Sequence, residues 1–156
     1  GNHDHWRNAP LVRQFLQEIG IEELRNQTQR VNIGGEHLNL CGLDSHMEGL
    51  TDLDAVLSGL PDGETGILLV HEPDYADISA ATGKFSLQFS GHSHGGQIYV
   101  PLVGPPVTPA FGQKYPRGLY QIRSMQLYTT SGIGMVRPFV RFNCRPEVAE
   151  ITLLTG

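Results

Sequence analysis

Ile67-Leu68-Leu69-Val70-His71-Glu72-Pro73 is an unbroken apolar run that stops at a histidine, and Ser86-Leu87-Gln88-Phe89-Ser90-Gly91-His92-Ser93-His94-Gly95-Gly96 repeats the plan fifteen or so residues later. A continuous apolar run bounded by turn residues reads as a strand covered on both faces. Open α/β sheets place their chemistry beyond the carboxyl ends of their strands, so two short strands (67–70 and 86–90) that each deliver imidazoles predict that class of fold. His92 and His94 sharpen the prediction. In an extended segment residues i and i+2 project from one side, and Gly91, Gly95 and Gly96 leave room beside them for an ion and a substrate. Taken alone, a His-x-His pair reads more readily as two surface histidines than as a metal site. Its neighbours change the balance.

Working outward from these strands, Ala9 to Ile19 predicts an amphipathic helix, with Leu11, Phe15, Leu16 and Ile19 on one side, Asn8 as cap and Gly20 as stop. Glu22 to Arg25 reads as extended. Segments 29–33 and 37–43 flank Gly34-Gly35, the signature of an antiparallel hairpin. Residues 50–60 predict a second helix capped by Thr51 or Asp52, and 74–80 a third. A proline-rich loop, 101–118, precedes closing strands at 118–122, 126–130 and 150–155. Long loops inside compact domains are often functional.

Composition bounds the rest. The chain has 156 residues, 39% hydrophobic and 17% charged, the size of one domain, and its nineteen glycines and ten prolines exclude a long helical bundle. A net charge of −5 argues against general nucleic-acid binding. No apolar run approaches the ~20 residues a membrane span needs. Cys41 and Cys144 lie in no paired pattern and read as buried free thiols. Ser93 and Ser131 lack a base pattern, which disfavours a serine hydrolase. His5, His37 and His46 are assigned to surface or local hydrogen bonding, with His5 a candidate for the cleft. Trp6 is assigned to packing, and Arg117, Arg137 and Arg141 to solvent.

At the other end of the chain, Asn2-His3-Asp4 offers an amide oxygen, an imidazole and a carboxylate, a donor mix that divalent first-row metals accept. Ordering them takes partners elsewhere, and His71, His92 and His94 are the candidates. Gly1-Asn2-His3-Asp4, His71 and Gly91-His92-Ser93-His94 occur in the order and context of the last three signature blocks of the calcineurin-like metallophosphoesterases. The stretch 68–74, residues 90–97, 111–120 and the ending 142–154 resemble a bacterial subgroup of small, often membrane-associated phosphoesterases.

The resemblance implies a sandwich of two β-sheets packed between helices, of which this chain is the carboxyl-terminal portion. It implies that Asn2, His71 and His92 bind one metal and His94 a second, that His3 is the acid beside the leaving oxygen, and that Asp4 orients His3. The ions would be manganese, iron or zinc, ~3.5–4 Å apart, sharing the water that attacks phosphorus. The substrate implied is a phosphomonoester or phosphodiester, lipid or cell-envelope related, with membrane association through a missing amino-terminal region.

The family's opening blocks, Asp-x-His and Gly-Asp-x-x-Asp, are not in the sequence, and a truncated reading frame is the expected reason. The chain by itself is therefore expected to hold as few as one ion. Asp44, Asp52 and Asp54 read as solvated or capping residues rather than substitutes. The rival reading is a metal-binding module or inactive remnant without turnover.

Overall fold

The structure, a computed structural model, describes residues 1–154. Two short helices open the chain, α1 (Asn2–Arg7) and α2 (Ala9–Glu18), followed by the hairpin β1 (Gln27–Ile33) and β2 (Glu36–Gly42). Then come α3 (Leu53–Ser58), β3 (Gly66–Leu69), α4 (Ala76–Ala81), β4 (Phe85–Ser90), β5 (Gly118–Ile122) and β6 (Met125–Thr129). Single 3-10 turns sit at Pro73–Tyr75 and His94–Gly96.

All six strands form one sheet in the order β1-β2-β3-β4-β6-β5. β2, β3, β4 and β6 run parallel, while β1 and β5 are antiparallel edges. The α/β class is as expected. Of the expected two sheets, the described strands build this one, and the segment foreseen as a last strand at 150–155 is irregular through 154 and forms no ladder. Thr155 lies outside the described residues.

Local chemistry accounts for the elements. Gly34 and Gly35 both take positive φ, 61° and 91°, the backbone a two-residue hairpin turn demands, and they set the register Ile33 to Glu36. The Asn8 side chain accepts from Leu11 N at 3.2 Å, and Asp52 accepts from Ala55 N at 3.0 Å, so α2 and α3 start at the capping residues foreseen. Asp44, in contrast, is not solvated. Its carboxylate accepts from His5 Nε2 at 2.8 Å, Arg25 Nε at 2.5 Å and Ser45 N at 2.7 Å, which ties α1 to the end of β2. Burial pushes its carboxyl up, but these partners outweigh that and hold it below the ordinary range.

The core lies on one face of the sheet. Cys41, Leu68 and Leu127 point there, fully buried, and pack with Val56 of α3 and Ala76 and Ala80 of α4. The period-2 alternation sends Leu69, Phe89, Tyr128 and Leu119 to the opposite face. Ile67 on that face of β3 is buried, but Leu69 is 38% exposed and Leu119 62%, so the cover on both sides that the apolar run suggested gives out at Leu69. α2 keeps its apolar side open as well, with Leu11, Phe15 and Ile19 exposed. Cys41 and Cys144 are buried free thiols, as expected. No helix of the described residues is long and apolar enough to cross a membrane.

Candidate metal centre

Because β3 and β4 are parallel, their carboxyl ends open on the same edge of the sheet, and Val70-His71 and Gly91-His92 leave it side by side, Gly91 N donating to His71 O at 3.0 Å. The His71 and His92 rings meet edge to face with centroids 5.0 Å apart. α1 closes the site from the other end of the chain. A Cβ on Gly1 would stand 2.7 Å from the His71 ring, so only a glycine lets the start of α1 approach this closely. A cleft of about 1040 Å³ results, and Asn2, His3, Asp4, His71, His92 and His94 all line it.

The donors differ in readiness. The Asn2 side chain is buried, at 2% exposure, and its Oδ1 has no hydrogen-bond partner. A buried amide oxygen left without a donor costs roughly 1–3 kcal/mol, and a cation beside it would supply the missing positive charge. Burial, helped by the amino-terminal charge and His92, pushes the His71 imidazole down to about 4 against the pull of Glu72 and Asp4. That ring is neutral near pH 7 and keeps a lone pair. His92 Nε2 lies 2.8 Å from Ala110 O, and His94 Nδ1 lies 3.0 Å from Gly134 O. A carbonyl oxygen only accepts, so each of those nitrogens donates; in the neutral rings Nδ1 of His92 and Nε2 of His94 remain bare.

An amide oxygen and two imidazole nitrogens are a mix of oxygen and nitrogen donors that divalent first-row metals accept, so the donor set fits one ion. Among the described residues no group of three His, Cys, Asp or Glu side chains stands ready to hold a metal, and the only carboxylate lining this cleft is Asp4. Asp4 accepts from the Gly1 amino group at 2.6 Å. His3 is exposed, and its ring lies 4.7 Å from that of Trp6.

Two sequence expectations change. His92 and His94 do not lie in an extended segment: φ is 63° and 53°, and the chain folds into a left-handed turn, so they share the cleft through the turn and not through strand alternation. Trp6 is not a packing residue. It is 56% exposed on the cleft wall, with its indole N–H donating to Glu48 Oε1 at 2.8 Å.

Sequence reasoning passed over Glu72 and misplaced Arg141. Glu72, fully buried, accepts from Ser45 Oγ at 2.5 Å, His46 N at 3.0 Å and Met47 N at 3.3 Å, which pins the loop carrying Met47 into the cleft wall. A charged residue directly after a buried strand was the available signal. Arg141, assigned to solvent, points inward to a ring of backbone carbonyls. His5 is bonded to Asp44 as described, and His46 packs edge-on against Tyr75 and Phe111. The 101–118 loop contributes Pro106 to Pro109 to the cleft.

Two imidazoles at the carboxyl edge of a parallel sheet, with an orphaned amide and a third histidine lining the same cleft, put this candidate site where open α/β sheets bind their ligands. The chain is 40% identical over 155 residues to the uncharacterized metallophosphoesterase YkuE of Bacillus subtilis (strain 168), covering 98% of this chain and 54% of that protein. It is 32% identical over 158 residues to the phosphodiesterase YaeI of Escherichia coli (strain K12), covering 99% and 56%. An uncharacterized metallophosphoesterase of Helicobacter pylori (strain ATCC 700392 / 26695) is 29% identical over 160 residues. No family model and no solved structure matches the chain. Over nearly its whole length the chain is thus similar to proteins named metallophosphoesterases and to one named a phosphodiesterase, in keeping with the resemblance read from its sequence. It spans about half the length of the curated relatives it matches.

Proposed function

We propose that this chain supplies metal and substrate groups to metal-dependent hydrolysis of a phosphoester, and that Asn2, His71 and His92 hold one divalent ion while His94 presents Nε2 to a second. The buried, unpartnered Oδ1 of Asn2, in the same cleft as the two imidazoles, is the observation that carries this reading. A bound ion supplies a Lewis acid for a phosphoryl oxygen and lowers the pKa of a coordinated water. The residues do the rest. The exposed His3 imidazole gives its proton to the departing oxygen; Asp4, foreseen as its orienting partner, instead accepts from the Gly1 amino group, since neighbours in a helix do not face each other. Neutral nitrogen and amide oxygen donors suit manganese, iron or zinc.

The apolar wall formed by Val107, Met135 and Val136 accommodates an apolar leaving group, which is the support for a lipid or cell-envelope phosphoester as the finer substrate class. Membrane association rests on the subgroup resemblance.

A second reading, a metal-binding module without turnover, is favoured by one observation: Asp4 is the cleft's sole carboxylate among the described residues, and nothing there bridges two ions. The two readings separate with a chromogenic phosphodiester and manganese. Hydrolysis that His92→Ala abolishes supports the enzyme. Calorimetric uptake of metal with no hydrolysis supports the module, and a flat result in both refutes the two together.

A further inference from the structure

His94 is the proposed ligand least supported by its own strand. It sits in a left-handed turn beyond β4, with φ of 53°, and the segment that receives its Nδ1–H, around Gly134, has no regular structure. Something else must hold that segment still. Two side chains do so. The Arg141 guanidinium donates from Nη2 to Gly134 O at 2.6 Å, Ser131 O at 2.9 Å and Gly132 O at 3.1 Å, and from Nη1 to His94 O at 3.3 Å and Cys144 O at 3.4 Å. Among the described residues it makes no salt bridge; its hydrogen bonds go to carbonyls of the His94 turn and of the segment facing it. Gln97, three residues after His94 and buried, grips the same segment further along. Its Oε1 accepts from Val136 N at 2.5 Å, and its Nε2 donates to Val136 O and Pro138 O, both at 3.1 Å.

We infer that Gln97 and Arg141 are positioning residues for His94, holding Gly134 O where it fixes the ring's proton on Nδ1 and leaves Nε2 facing the cleft. The chemistry follows from the roles of donor and acceptor. Without a carbonyl at Nδ1, the ring is free to rotate and to carry its proton on Nε2, and a protonated Nε2 cannot ligate. Partners that orient a ligating histidine are typically worth about 10–100-fold in metal affinity. Lysine at 141 cannot replace the planar fork, because one ammonium does not span carbonyls of both segments. Glutamate at 97 keeps the shape but turns the donor toward Val136 O and Pro138 O into an acceptor.

This inference rests on the reading of His94 as a ligand, and the test separates the two. Long-range proton–nitrogen NMR spectra of the metal-free 156-residue chain report which ring nitrogen of His94 carries the proton. Wild type is expected to show the Nδ1–H form, and Gln97→Glu and Arg141→Lys a mixture or the Nε2–H form. Zinc is then added. The His94 Nε2 signal should move in wild type, and the variants should need about 10–100-fold more zinc to move it. A wild-type ring protonated on Nε2 overturns the inference without any variant, as does an unchanged tautomer in both variants. A wild-type Nε2 signal indifferent to zinc sinks the ligand reading instead and leaves the tautomer result standing.

Discussion

Replacing Glu72 with glutamine is the sharpest probe of how the site is supported. The carboxylate is fully buried and receives the Ser45 hydroxyl and the backbone N–H groups of His46 and Met47. Burial pushes its carboxyl up, but the Ser45 hydroxyl, His46 N–H, the His71 ring and Met47 N–H together hold it below 4.5. Glutamine keeps one acceptor oxygen and points an NH₂ at donors it cannot bond. Hydrogen bonds to a charged group are worth about 1.5–3 kcal/mol each, and a stranded buried donor costs a further 1–3.

One acceptor position lost and one donor stranded sum to about 2.5–6 kcal/mol at pH 7, before the loop relaxes. For a chain of this size that lowers the melting temperature by about 5–24 °C. The sign with pH is fixed. A carboxyl held low contributes stability above 4.5 that disappears as the pH falls through its folded value, so the gap between wild type and Glu72→Gln must narrow in acid. Urea titrations at pH 7 and pH 3.5 measure it. A loss under about 1 kcal/mol at pH 7, or a gap that does not shrink in acid, would falsify this account of the loop.

Two further outcomes follow from the same geometry. His71 is held at about 4 against an ordinary 6.5, so the unfolded chain takes up a proton first on acidification. Its contribution is intact above 6.5 and is lost between 6.5 and 4, up to about 3 kcal/mol, and His71→Asn should flatten the fall in urea midpoint over that window. Gly95→Ala places a Cβ 2.6 Å from Ser131 Oγ and 2.7 Å from Cys144 Sγ at a φ of 61°. We expect a loss of about 2–3 kcal/mol by denaturant melts, and a variant as stable as wild type would contradict the packing of this turn.

What could be read from the sequence was what local pattern determines. The runs 67–70 and 86–90, the paired glycines at 34 and 35, and the caps Asn8 and Asp52 each announce their element through spacing or side-chain chemistry, and the structure places strands or helices within a few residues of each. Asn2, His71, His92 and His94 line one cleft, and their role as ligands there is what the family resemblance implies. The rest depended on contacts distant in sequence. Nothing local shows that His92 and His94 leave the strand by a left-handed turn, because Ser131, Cys144 and Arg141 shape it from far along the chain. Arg141 looks like any other surface cation until the carbonyls around it are known. The exposure of Leu69 and Leu119 likewise reflects what does and does not lie over the second sheet face, which no strand pattern records.

The left-handed turn bears on the order of events during synthesis. His92, His94 and Gln97 all adopt a backbone that unassisted residues of their type avoid, at a cost of roughly 1–2 kcal/mol each. The guanidinium that steadies this region belongs to a residue 47 positions after His94. While the ribosome is still adding those positions, the parallel ladder of β2, β3 and β4 has all its parts and the histidine pair does not yet have its shape. The turn that carries His92 and His94 thus takes its shape only when residues far along the chain are in place, after the ladder that leads into it has its parts.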